Sequence, residues 1–194
     1  MFRIFIAILI AVIFISCQSN EEKTANEFSE LKIDSTKISK LSYDYLNEFS
    51  ISPPKNWHRV ISKYESKKIS LNQSGKAYSY LIMKTLDLFN DQGANKIMSI
   101  SSIEADSTDN NILKSYIDFA KFKFNNDDIK IDEFVNRGRN TYVLKINKSN
   151  IMSIRFLFLS SQGKIFQIEF TCEPNEYDSI IEYIKSSIAS IKYL

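Results

Sequence analysis

One histidine, two cysteines, four glycines and three prolines are all that 194 residues contain of these types. With a single histidine, His58, no cluster of imidazoles can hold a metal. Any Ser-His-Asp or Cys-His arrangement would have to pass through it. Two cysteines exclude a Cys₄ zinc site. The few glycines form no glycine-rich phosphate loop, which disfavours nucleotide cradling. No Asp-x-Asp-x-Asp-Gly spacing is present, so an EF-hand is excluded. Charge of either sign is not in excess: Lys and Arg number 25 and Asp and Glu 23. A basic surplus of the kind that marks nucleic-acid binding is therefore missing. The first apolar run, residues 4–15, has about a dozen residues, against the ~20 needed to cross a ~30 Å hydrocarbon core.

What is present begins at that run. Met1-Phe2-Arg3, the apolar stretch 4–15 and the small Ser16 have the lengths of a signal peptide. Ser16-Cys17 then gives way to Gln18, Ser19, Asn20, Glu21, Glu22 and Lys23. The segment resembles a bacterial lipobox, departing from it in Phe14, where leucine is usual. The resemblance implies cleavage before Cys17, a diacylglycerol thioether on its sulfur and acylation of the new amino terminus. Each buried CH₂ is worth ~0.8 kcal/mol, so two or three long chains make a durable membrane anchor. Gln18 is not the aspartate of an inner-membrane retention signal, which favours the outer membrane. Glu21-Glu22 looks like the surface-export signals of Bacteroidota lipoproteins. Residues 17–42 are polar and read as a lipidated flexible tether, with a weak helix at 27–40 as an option. About 25 such residues reach roughly 25–30 Å.

From Tyr43 onward about 150 residues read as one structured domain, a normal single-domain size. High aromatic content, 13%, with scarce Gly and Pro, fits a compact sheet-rich fold. Alternation predicts strands at residues 43–51, 57–61, 77–89 and 96–104, with a polar stretch at 62–75 between them. Ser107-Thr108-Asp109 offer caps for a helix at 110–124, where Ile112, Tyr116, Ile117 and Ala120 recur at helical spacing. Two hairpins follow, 129–136 with 141–147 around Arg137-Gly138-Arg139-Asn140, and 151–160 with 164–172 around Ser161-Gln162-Gly163. The consecutive Phe156, Leu157, Phe158 and Leu159 predict a central strand buried on both faces. Pro174 opens a last helix with Tyr177, Ile180, Ile181, Ile184, Ile188 and Ile191 on one face. The class is α+β: an antiparallel sheet covered by helices.

Phe49-Ser50-Ile51, then Pro53-Pro54 and Trp57, a mid-chain helix, and a closing hairpin, Gln-Gly-Lys turn, proline and helix together resemble the PsbP-like fold. That fold is shared by photosystem oxygen-evolving accessory proteins, bacterial DcrB-type lipoproteins and a Ran-binding nuclear import factor. The resemblance spans residues 43–194 and implies an α/β/α sandwich acting as an accessory or binding module. The adjacent prolines and the long polar stretch at 62–75 depart from the pattern. No metal or partner residue of that family transfers to a matching position.

The remaining chemistry is sparse. With Cys17 lipidated, Cys172 has no disulfide partner; it reads as a buried thiol, activated only if a cation or helix N-terminus adjoins it. Asp127-Asp128 and Asp132-Glu133 read as a helix end and a solvated turn rather than a Ca²⁺ cage. Arg137 and Arg139 form a basic hairpin tip able to meet phosphate, lipid or an acidic partner. The expected function is a non-enzymatic envelope lipoprotein without cofactor or metal, held to the membrane at Cys17 and binding an envelope protein. Alternatives are an immunity-type inhibitor of a toxin or hydrolase, and a small-ligand-binding lipoprotein.

Overall fold

A computed structural model describes residues 27–60, 66–70, 80–93, 95–105, 111–124 and 128–194. The expected signal peptide, Cys17, the helix caps expected at 107–109 and Asp127 lie outside the described residues. In chain order the elements are β1 Tyr43–Tyr45, β2 Phe49–Ile51, β3 His58–Arg59, β4 Ser66–Ser70, β5 Tyr80–Asn90, β6 Ile97–Ala105 and α1 Ile112–Lys123. There follow β7 Ile129–Asn136, β8 Arg139–Lys148, β9 Ile151–Leu159, β10 Ile165–Cys172, α2 Tyr177–Ala189 and β11 Lys192–Tyr193. The large sheet runs β3-β5-β6-β10-β9-β8-β7, with β4 also paired to β5; β1-β2-β11 form a small sheet. Every strand pair is antiparallel. The fold is thus α+β, as the sequence predicts.

The centre of the large sheet shows why. On β9, Met152, Ile154, Phe156 and Phe158 enter one core and Leu157 another. On β10, Phe166, Ile168, Phe170 and Cys172 enter the first and Ile165 the second. Alternate side chains of a strand point to opposite faces, so each face has its own core. Ile180, Ile181, Ile184 and Ile188 of α2 complete the first; Ile112, Tyr116, Ile117 and Ala120 of α1 complete the second. The first core is rich in phenylalanine. Phe156 meets Phe28 edge-on at 5.0 Å, and Phe49 meets Phe158 edge-on at 5.1 Å. Such pairs add about 0.5–1.5 kcal/mol beyond burial.

Several expectations are corrected. Residues 43–51 are not one strand. Leu46 and Asn47 take positive φ, and Asp44 Oδ1 accepts the Asn47 amide at 3.0 Å, so the chain folds into the β1-β2 hairpin. The strand at 57–61 shrinks to β3, and the polar stretch holds β4. The C-terminal helix stops at Ala189, and the last residues return as β11 against β2. Phe28, which the sequence reading places in the tether, packs with the domain, 2% exposed in the first core. No helix forms at 27–40. Ser39 N donates to Pro53 O at 2.8 Å, Lys55 N donates to Lys37 O at 2.8 Å, and Ile38 bridges Pro54. Apart from a local turn in which Lys37 N donates to Asp34 O at 3.0 Å, this segment takes its backbone partners from residues 53–55.

Candidate functional site

The β7-β8 hairpin turns on two residues, Arg137 and Gly138, at φ 48° and 83°. Both left-handed positions match the twist of the strands they join. Arg139 and Asn140 therefore belong to β8, opposite Asn136 and Val135. This splits the predicted basic tip. Arg139 lies over the Tyr193 ring of β11, its Cζ 4.3 Å from the centroid. Its Nη1 donates to Leu159 O at 3.2 Å. Arg137 stays exposed and lines a separate depression with Phe28, Ile33 and Val135.

Arg139 lines a groove of about 630 Å³ between α1 and the strands β8 and β9. On α1, Leu113, Lys114, Ile117 and Lys121 share one face at i, i+1, i+4 and i+8, and all four line it. Tyr142 and Leu159 add apolar surface from the sheet; Asp118 is the acidic residue of the lining, beside the cations Lys114, Lys121 and Arg139 that also line it. Leu159 is 41% exposed here, unlike its buried neighbours Phe156 to Phe158. Burial, then the Glu133 carboxylate, push the Tyr142 phenol above its ordinary range, so it stays a neutral donor. The groove can take apolar groups carrying a negative charge. The sequence points to Arg139 alone, since α1 and β8 are joined only by folding.

The other sequence candidates stand apart from it. His58 is exposed on β3 opposite Asn90. Cys172 is 2% exposed. Burial, then the charge of Glu176, push its thiol up to about 11, against the opposing pull of Lys96 and Lys145. That is the reverse of an activated thiol. Glu176 spends its own charge on Lys96, whose Nζ is 2.6 Å from Glu176 Oε1 and 3.3 Å from Asp91 Oδ2. Asp132 and Glu133 are exposed on β7. Among the described residues no group of three His, Cys, Asp or Glu could hold a metal ion. Nor is any helix among them long and apolar enough to cross a membrane.

Neither a family model nor a curated protein matches the chain. Solved structures do. The solution structure of cyanobacterial PsbP (CyanoP) from Synechocystis sp. PCC 6803 has a TM-score of 0.52 at 12% identity, over 84% of this chain and 95% of that one. A crystal structure from Bacteroides thetaiotaomicron VPI-5482 has a TM-score of 0.39 at 13% identity, over 79% of this chain and 48% of that one. The CyanoP likeness bears on fold alone, and by it the chain has a PsbP-like fold.

Proposed function

We propose that the chain is a non-enzymatic, lipid-anchored lipoprotein of the bacterial envelope, at the outer membrane, whose α/β/α sandwich binds an envelope protein. The observation that carries this reading is the groove with Arg139, Lys114 and Lys121 around an apolar lining. Arg139 is held at two points, by Tyr193 and by Leu159 O. A pre-positioned guanidinium loses little entropy on meeting a carboxylate. The occupant that fits is a short partner segment with apolar and acidic side chains. Lipid on Cys17 would hold the domain within a tether's reach of such partners.

Two measurements test it. The mass of the N-terminal peptide reports whether Cys17 carries the diacylglycerol thioether. Cross-linking and capture from intact envelopes, parent against Arg139→Ala/Lys121→Glu, report the partner. A protein held by the parent and lost from the variant supports the reading; equal capture by both removes the groove from it. A smaller ligand is the second reading, since about 630 Å³ lies within the ~300–1,000 Å³ of small-molecule sites.

A further inference from the structure

At the far end of α1, three cations from three elements converge on one aromatic ring, and the charge of a fourth, Lys67, bears on one of them. Phe124 closes the helix and packs against the second core. Lys123 Nζ lies 5.5 Å from its centroid, Lys148 Nζ 5.9 Å and Arg155 Cζ 5.5 Å. The charges of Lys67 on β4, Arg155 and Lys148 also bear on Lys123; after burial itself, they hold its amine below the ordinary lysine range. Of these four cations, Arg155 alone has a carboxylate partner among the described residues, Glu169. Among the described residues the positive potential is answered only in part, by Glu169, whose charge bears on Lys123 as well as on Arg155. Like charges drawn together this way disfavour the fold unless something outside neutralises them.

Large apolar side chains stand beside the cations. Phe122 is 73% exposed and Ile151 55% exposed, and Ile151 sits opposite Lys148 in the β8-β9 register. Neither joins a core. An exposed aromatic between lysines has the composition of interfacial membrane binding, in which the ring enters the headgroup boundary and the cations meet lipid phosphates. A soluble acidic partner would answer the charge but would leave Phe122 and Ile151 without a purpose.

We propose that this face, with Phe122 and Ile151 framed by Lys67, Lys123, Lys148 and Arg155, docks the domain onto the anionic headgroup surface of a membrane. It goes beyond partner binding in the groove, and it needs no lipid on Cys17. Each cation is worth about 1 kcal/mol near an anionic surface, so removing one should lower the docked-to-undocked ratio about fivefold.

The test uses the full chain as its expression host processes it, reconstituted into vesicles that contain brominated lipid. Phe122→Trp places a reporter at the face; the difference from the parent removes the signal of Trp57. Quenching in vesicles with phosphatidylglycerol, little in phosphatidylcholine alone, and loss on adding salt are the expected results. Lys123→Glu/Lys148→Glu in the reporter chain should abolish the quenching, with a melting temperature no lower than the reporter's showing that the fold is intact. Equal quenching in both vesicle types, or none in either, overturns the proposal. So does an emission change with soluble polyglutamate as large as that with anionic vesicles, because the face would then read acidic polymers. Failure of the lipid reading shows separately, in the mass of the N-terminal peptide.

Discussion

Arg155 on β9 and Glu169 on β10 face each other directly across the antiparallel register, joined by an Nε to Oε1 bond of 3.0 Å beneath α1. The pair is closed on its inner side. Ser153 Oγ donates to Glu169 Oε1 at 2.5 Å, Gln167 Nε2 donates to Glu169 Oε2 at 3.1 Å, and Tyr116 OH donates to Gln167 Oε1 at 2.6 Å. Tyr116 comes from α1, so the network ties the helix to the sheet. A buried polar cluster is tolerated only when its members are satisfied.

Breaking one side of that pair should cost far more than removing both. Glu169→Leu leaves the Arg155 charge half-buried without a carboxylate and is expected to destabilise the fold by about 3 kcal/mol. Arg155→Met/Glu169→Leu together should cost clearly less than the two single changes added. Urea unfolding of the four proteins checks this. Strict additivity would show that the pair is not coupled.

Phe28 carries a prediction about where the domain begins. It is 2% exposed and packs on Phe156 and Phe134, upstream of the boundary that the sequence suggests. Phe28→Ala should destabilise the fold by about 3–5 kcal/mol, the usual cost of emptying a buried phenylalanine site. If residues 27–42 were a free tether, the melting temperature would not move.

The elements legible in the sequence are those with enough length for a period to show. Residues 129–172 give two hairpins because β-branched and aromatic residues alternate on both sides of glycine-bearing turns, and α1 and α2 because their isoleucines recur at helical spacing. What escaped has no such signal. The β1-β2 turn uses Leu46 and Asn47 at positive φ, where glycine would have announced it. β3 and β11 are two residues long, too short for alternation. Phe28 was hidden by polar neighbours, since one buried ring among hydrophilic residues looks like a linker. For the sites, Arg139 was visible as a charge at a turn, but its seat over Tyr193 was not. Lys67, Lys123, Lys148 and Arg155 lie on separate elements, and no spacing connects them before folding.

The two arginines of the hairpin separate cleanly in a test. Arg137 holds φ 48°, a conformation that costs a non-glycine residue about 1–2 kcal/mol. Arg137→Gly removes that cost and should keep or raise the melting temperature while leaving capture through the groove unchanged. Gly138→Ala, at φ 83°, should cost about 1–2 kcal/mol for the same reason. Arg139→Ala should weaken capture with a smaller effect on stability. Equal loss of capture from Arg137→Gly and Arg139→Ala would mean that the hairpin acts as a single basic tip after all.

Alkaline pH should loosen this fold in a definite order. The Cys172 thiol, ordinarily near 9.0, is raised to about 11 in the folded chain, by burial first and then by Glu176. The Tyr45 and Tyr177 phenols, ordinarily at 10.0, are raised well above that, by burial first and then by the carboxylates of Asp87 and Glu27. A raised folded pKa means that, above the ordinary value, the unfolded chain releases a proton that the folded chain retains. Stability then falls as pH rises, and below the ordinary value the contribution is present in full. Melting temperatures should therefore begin to fall near pH 9.0, where the free thiol ionises, and fall more steeply above 10.0, where the phenols join. Cys172→Ala starts from a lower melting temperature because it leaves a cavity. Its decline should nevertheless begin later, with the phenols. Circular dichroism melts of the parent and the variant, stepped across this interval, check the order. Parallel curves would show that the thiol does not hold its proton on folding, and the inert reading of Cys172 would fail with it.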